Sequence, residues 1–138
     1  KHMEAASLEQ DIYHLKKKVE AGADYIVTQM FFDNQKYYDF VEKCRTSGIN
    51  VPIIPGLKPI TTKSQLSMIP HRFKVDLPNE LVIAIAKAKD NKEVKEIGIN
   101  WCIQQSKDLM KNGAPVLHYY SMGKSEVVKR IASEVFKH

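Results

Sequence analysis

A helical stripe of apolar residues followed by a short apolar run occurs three times in this chain, and this alternation limits the fold more than any other feature. The first stripe is Ile12, Leu15 and Val19, at the spacing of one helix face. The apolar runs, rich in β-branched and aromatic residues, are Tyr25–Phe32, Val51–Gly56 and Pro115–Tyr120. Helices that alternate with buried strands predict an α/β fold with a parallel sheet.

Cap and turn residues predict where these elements begin and end. Asp33 follows the first apolar run and suits a helix N-cap. Pro52 and Pro55 cannot donate to a strand ladder, so we expect them at the start and the exit of the second strand. Thr61 or Thr62 is expected to cap the next helix. Further helical stripes run through Leu81–Ala86, Val94–Leu109 and Val127–Val135.

The choice between an open sheet and a barrel depends on the loops after the strands. No GxGxxG sequence follows any of the three runs, which weighs against a dinucleotide-binding open sheet. A complete eight-stranded barrel needs roughly 250 residues, whereas this chain has 138. We therefore predict about three βα units of a TIM-type (β/α)8 barrel, incomplete as given, with residues 1–138 forming one segment of a single domain.

Composition excludes several classes of protein. With 43% hydrophobic and 27% charged residues the chain has the balance of a soluble globular protein. No apolar run approaches the roughly 20 residues of a membrane span, and no signal peptide is evident, so we expect no membrane partner and a cytoplasmic location. The formal net charge of +5 is scattered, which argues against a nucleic-acid partner. Cys44 and Cys102 lack metal-site spacing, so we expect two buried thiols and no metal.

Three motifs resemble the methylenetetrahydrofolate reductase family in order and spacing. They are Asp24–Asp33, Pro52–Gly56 and Leu117–Tyr120. The resemblance implies a flavin-dependent β/α barrel of which this chain is the C-terminal part. It also implies an activity, in which a hydride passes from NAD(P)H as co-substrate to flavin adenine dinucleotide (FAD) and then to 5,10-methylenetetrahydrofolate, giving 5-methyltetrahydrofolate.

The substrate residues implied by the resemblance lie at or after the strand ends. Gln29 is a primary amide in an otherwise apolar strand, so its polar atoms need partners, either neighbouring backbone or a ligand. In the family the matching glutamine binds the pterin ring of folate. Gln65 matches a second folate-contacting glutamine, although taken alone it is typical of a solvated helix residue. The other matching positions are Met122 and Ile69, as apolar wall residues, and Lys124, where arginine is common. Core packing is the alternative for Ile69.

The resemblance also implies a flavin-binding segment near the N-terminus. The matching positions are His2, Asp11, His14, Lys17 and Lys18. Lysine side chains can neutralise a pyrophosphate, and a carboxylate can accept hydrogen bonds from ribose hydroxyls. Without the resemblance, the same lysines would be interpreted as the solvated face of a surface helix.

The family's catalytic glutamate and the aspartate beside the flavin belong to the N-terminal half of the barrel, so we expect no catalytic residue in this chain. We expect the fragment to be inactive alone, and to self-associate or to need the missing N-terminal half as a partner. Two alternatives remain open from the sequence. One is a segment of another barrel enzyme, such as an aldolase or a phosphate-binding isomerase, and the other is a non-catalytic interaction module.

Overall fold

The computed structural model describes residues 5–8, 11–120 and 125–136. Within them, short strands alternate with helices along the chain. The strands are β1 (Ala5–Ala6), β2 (Ile26–Met30), β3 (Ile53–Leu57) and β4 (His118–Tyr119). The helices are α1 (Ile12–Glu20), α2 (Asn34–Thr46), α3 (Gln65–Phe73), α4 (Asn79–Ala86), α5 (Asn91–Lys111) and α6 (Ser125–Val135). None of the helices described is long and apolar enough to cross a membrane.

The sheet is parallel throughout, and its strands lie side by side in chain order, β1-β2-β3-β4. A doubly wound open sheet would reverse its strand order at a switch point, whereas one arc of a barrel keeps chain order. The predicted α/β class and partial barrel are therefore confirmed. The predicted number of strands, three, is one too low, because β1 was not recognised in the sequence.

The prediction for Pro55 was wrong, because this residue lies inside β3 and not at its exit. The β2–β3 ladder is irregular between Val27 and Met30, where β3 carries Pro55. A bulge tolerates a proline because no ladder donor is required there. The amide of Gly56 donates instead to the side-chain hydroxyl of Thr28, at 2.9 Å.

A tyrosine after β4 uses the same irregularity. The hydroxyl of Tyr120 donates to the backbone carbonyl of Thr28 on β2, at 2.9 Å, although β3 lies between the two strands. A Cβ on Gly56 would lie 2.5 Å from that carbonyl oxygen and 2.6 Å from the Tyr120 ring. Only glycine leaves room for this contact. The side chain of Tyr120, which follows β4, therefore passes Gly56 of β3 and bonds to β2.

The two faces of the sheet differ in burial. Ile26 and its partner Ile53 are buried in a core cluster with residues of α1, α2, α5 and α6. Their neighbours Val27 and Ile54, which pair with each other and point to the other face, are only half-buried. One face is thus packed under helices, and the other is partly open, as expected for the inner face of an incomplete barrel.

Candidate functional site

A cleft of about 230 Å³ opens at the carboxyl end of β2. The end of β2 and the residues after it form its floor, and one face of α2 and the segment 73–76 form its walls. We call it the Gln29 cleft. Its polar and charged lining residues are Ser7, Gln29, Asp33, Lys36, Asp39, Lys43, Lys74 and Asp76. Loops at the carboxyl ends of barrel strands are where this fold class places its binding sites.

Gln29 is half-buried and lies on the same open face of β2 as Val27. Its side-chain oxygen Oε1 accepts one hydrogen bond from the adjacent Met30 amide, at 3.3 Å. Within the described chain its Nε2 group donates to no protein atom. A primary amide has two donors and a carbonyl oxygen with two lone pairs. Neighbouring backbone therefore satisfies only part of this amide, and neither of its two donors has a partner among the described residues.

Gln65 begins α3, after the strand that neighbours β2. Its Oε1 accepts from the backbone amides of Thr61, at 2.7 Å, and Thr62, at 3.2 Å. The predicted cap was therefore wrong, because these threonines donate to the glutamine and do not cap the helix with their own side chains. This contact orients Gln65. The residue is absent from the described lining of the Gln29 cleft.

The remaining predicted substrate residues fall into two groups. Ile69 is 0% exposed and packs in a core cluster with Met30 and Phe32. This burial favours the core-packing alternative over a ligand contact for Ile69. Met122 and Lys124 lie outside the described residues, as does His2 of the predicted flavin segment.

The other predicted flavin residues lie together on the exposed side of α1. Asp11 caps the helix by accepting from the Tyr13 amide at 2.9 Å, and its second carboxylate oxygen is 3.5 Å from Nδ1 of His14. Lys17 and Lys18 form part of the last turn. Residues separated by three, four or seven positions share a helix face, so Asp11, His14 and Lys18 lie on one face of α1. Lys17 lies three positions after His14, at the side of that face, and both lysines are exposed.

Tyr13 is a residue of that surface which the sequence analysis missed. Its side chain is 62% exposed, with the His14 ring at 5.7 Å and the Lys17 ammonium 5.2 Å above its ring. The sequence does indicate this exposure, because Tyr13 lies outside the apolar stripe of its own helix. An exposed aromatic ring beside cationic groups offers a stacking surface for a planar ligand.

The buried thiols are not candidates for chemistry. Cys44 and Cys102 are both buried and free, as predicted. Burial raises the pKa of the Cys102 thiol to about 12, against smaller opposing effects of the Ser106 hydrogen bond and the Lys58 charge. A protonated thiol is a poor nucleophile. Among the described residues, no group of three His, Cys, Asp or Glu side chains could hold a metal ion.

The chain-ordered parallel sheet and the cleft at its carboxyl edge define one arc of a β/α-barrel protein, with the cleft in the position where this class places its binding sites. The family model described as methylenetetrahydrofolate reductase matches residues 1–135. The chain belongs to the methylenetetrahydrofolate reductase family, and the resemblance inferred from its motifs is confirmed.

Two curated relatives show how much of an enzyme the chain spans. It is 41% identical over 117 residues to methylenetetrahydrofolate reductase (NADH) 1 of Arabidopsis thaliana, a match covering 84% of this chain and 20% of the plant protein. It is 32% identical over 127 residues to 5,10-methylenetetrahydrofolate reductase of Escherichia coli strain K12, covering 91% of this chain and 43% of the bacterial protein. The chain thus spans less than half of either relative.

A solved structure supports the fold. A Clostridium thermocellum protein that binds two copies of 5-methyl-5,6,7,8-tetrahydrofolic acid matches with a TM-score of 0.69 at 19% identity. The match covers 96% of this chain and 51% of that chain. At this identity the likeness concerns the fold alone.

Proposed function

We propose that this chain supplies the C-terminal half of a barrel that reduces 5,10-methylenetetrahydrofolate to 5-methyltetrahydrofolate, with NAD(P)H as the source of the hydride. The observation that carries the proposal is Gln29, whose amide donors have no partner among the described residues and which lies at the carboxyl end of β2 in a chain of this family. The folate bound by the solved structural neighbour also supports a folate ligand.

Gln29 would recognise the pterin ring of folate. A pterin edge offers ring nitrogens and an oxo group, and a primary amide can pair with both acceptors and donors. Gln65 would contribute through its Nε2 group, since its Oε1 is committed to the loop amides. Met122 and Lys124 keep the roles that the family resemblance implies, as an apolar wall residue and as a cation near the substrate.

The exposed face of α1 would hold the flavin dinucleotide, and the residues present fit such a group. Lys17 and Lys18 supply positive charge for a pyrophosphate, and Asp11 supplies acceptors for ribose hydroxyls. His2 and His14 are the further positions implied by the resemblance. When bound, the flavin relays a hydride from NAD(P)H to the folate. This chain's residues bind and orient that group.

The two halves of the barrel would have different roles in catalysis, because the family resemblance assigns two residues to the N-terminal half. The proton donor to the folate and the aspartate beside the flavin lie there, so this chain alone would bind ligands weakly and catalyse nothing. The half-buried Val27 and Ile54 support this division, because further strands would cover them in a closed barrel. The partner is either that N-terminal half or a second copy of this chain.

A titration of the isotope-labelled chain with 5-methyltetrahydrofolate tests the proposal. We expect the side-chain amide resonances of Gln29 to shift in a saturable way in the unaltered chain. The backbone amide shifts of the other residues of the Gln29 cleft should follow the same curve, and folate binding measured from them should weaken in Gln29→Leu. Gln104→Leu, an exposed glutamine on α5, is the matched control. A folate that shifts no residue of the Gln29 cleft, or that binds Gln29→Leu as well as the unaltered chain, would contradict the proposal.

A further inference from the structure

The end of α5 carries an asparagine followed directly by a glycine, the one such pair in the sequence. In such a pair the next backbone nitrogen can attack the side-chain amide carbon of the asparagine, and this attack is the first step of spontaneous deamidation. Glycine favours the attack because it has no side chain to hinder the approach and its backbone is unusually free. We call these two exposed residues the Asn112–Gly113 step.

The attacking nitrogen of this step is held in the folded chain. The Gly113 amide donates to the Met110 carbonyl at 3.2 Å, and the Ala114 amide donates to the Leu109 carbonyl at 3.0 Å. Together with the left-handed φ of 87° at Gly113, these two bonds form the glycine cap that ends many helices. The last turn of α5 must therefore open before the Gly113 nitrogen is free to react.

The leaving nitrogen, Nδ2 of Asn112, is surrounded by three oxygen atoms. It donates to the Asp108 carbonyl at 2.8 Å, to Oδ1 of Asp108 at 3.3 Å and to the Tyr38 hydroxyl oxygen at 3.2 Å. The Tyr38 hydroxyl in turn donates to Oδ2 of Asp108 at 2.6 Å. Because Tyr38 lies on α2, the asparagine side chain completes a hydrogen-bonded link between α2 and α5.

Deamidation would reverse the chemistry of that link. It replaces Nδ2 by an oxygen, which would face three acceptors with no hydrogen to donate. Hydrogen bonds from Tyr38 and Asn34 hold the pKa of the Asp108 carboxyl below its usual range, so the new carboxylate would lie beside an existing charge. The C-terminus of a helix also disfavours a negative charge. The reaction thus removes a contact and adds repulsion at the same place.

We propose that the Asn112–Gly113 step is a self-modification site, at which water converts Asn112 to aspartate or isoaspartate and so loosens α5 from α2. The Gly113 nitrogen bonds to Cγ of Asn112, the Cγ–Nδ2 bond breaks, and the Gly113 amide proton leaves with Nδ2 in ammonia. Water then opens the resulting succinimide ring at either carbonyl. The reaction requires neither folate nor flavin and is independent of the proposed function, although α2 also forms one wall of the Gln29 cleft.

Mass spectrometry of a digest that separates asparagine, aspartate and isoaspartate at position 112 measures the reaction, in the chain incubated at neutral pH with and without urea. We expect the folded chain to convert roughly ten- to hundredfold more slowly than the unfolded chain, because the helix end must open first. Tyr38→Phe should speed conversion of the folded chain by about two- to tenfold, since Nδ2 loses a partner. Tyr13→Phe, which removes an exposed hydroxyl on α1, is the control and should not.

These rates can contradict the proposal in several ways. It is overturned by equal rates in the folded and unfolded chain, by equal rates in the two tyrosine variants, or by no conversion in either state. A folded chain that stays unmodified while the unfolded chain converts fully would overturn it as well.

The effect of the product is tested separately with Asn112→Asp, which reproduces the aspartate form. Asn100→Asp makes the same charge change at an exposed position of the same helix. In urea unfolding, Asn112→Asp should lower the ratio of folded to unfolded chain by about five- to thirtyfold, and Asn100→Asp should change it by no more than about twofold. Equal stability of the two variants would show that the modification leaves the link between α2 and α5 intact, and would overturn the proposal.

Discussion

The backbone of Gly98 on α5 lies so close to Ile60 that a Cβ at position 98 would sit 1.8 Å from the Ile60 carbonyl oxygen. Gly98→Ala should therefore destabilise the fold by at least about 1–3 kcal/mol, because backbone must move to relieve the overlap. Helix propensity alone predicts the opposite sign, a gain of roughly 1 kcal/mol. Urea unfolding measures the change. Asn100→Ala, at an exposed position of the same helix, is the control and should be neutral or stabilising.

Gln29→Ala separates the two half-reactions in an enzyme that contains this chain as the C-terminal half of its barrel. Loss of the pterin contact should slow folate reduction by an amount equivalent to roughly 1–3 kcal/mol, while oxidation of NAD(P)H by the flavin stays nearly unchanged. Rapid-mixing absorbance at the flavin band measures both steps. Equal losses in both would mean that Gln29 only stabilises the barrel.

Replacing Lys17 and Lys18 together by glutamine should weaken flavin dinucleotide binding in the same complete enzyme by roughly tenfold or more, because two charges that face a pyrophosphate are lost. Lys107 and Lys111, on α5, provide the control pair with the same charge change. Flavin fluorescence measures the dissociation constant. The isolated chain should not bind the flavin stoichiometrically below about 1 μM. Stoichiometric binding at that concentration would show that this half of the site suffices.

The raised pKa of Tyr37 predicts how the free energy of unfolding depends on pH under alkaline conditions. Its hydroxyl donates to the Ile53 carbonyl at 2.5 Å, and burial raises its pKa to about 12, against a smaller opposing effect of the Arg45 charge. An unfolded tyrosine ionises near 10. The stability gained from keeping this hydroxyl protonated is therefore complete below about pH 10 and is lost as the pH rises towards 12.

Tyr37→Phe should reduce the slope of unfolding free energy against pH above 10. At pH 8 it should cost about 1–2 kcal/mol, because the Ile53 carbonyl loses its buried partner. Urea unfolding at several pH values measures both effects. An unchanged alkaline slope would assign the pH dependence to Tyr38 and Tyr119, whose pKa values burial also raises to about 12.

Self-association is the expected behaviour of the isolated chain, because β1 and β4 each have a strand neighbour on one side only in the described sheet. Sedimentation equilibrium at about 100 μM decides this. A monomer that unfolds in one cooperative step would show that the described half is a stable unit by itself.

Local chemistry made part of this structure predictable. Asp33 was expected to cap a helix and does so by accepting from Gln35, since capping depends on a few neighbouring residues. By contrast, β1 contains only Ala5 and Ala6, which have no strand preference of their own. It is a strand because of its pairing with Val27 and Thr28.

The site was less predictable than the fold, because its chemistry depends on distant contacts. Gln29 was found from its polarity within an apolar run, and this information is local. The wall of the Gln29 cleft formed by the segment 73–76 is distant from Gln29 in the sequence, and the position of Pro55 inside the neighbouring strand β3 likewise depends on the bulge against β2. No pattern within a single segment contains such information.

The bond from Tyr120 to Thr28 has a geometric consequence for the whole barrel. Neighbouring strands are about 4.8 Å apart, so β2 and β4 would be roughly 9.6 Å apart in a flat sheet. The Tyr120 side chain bonds to β2 without bonding to β3, so it spans the curved sheet as a chord spans an arc. The length of that chord sets the curvature of the three strands. Gly56, by admitting this chord, helps to fix the radius at which any further strands must close the circle.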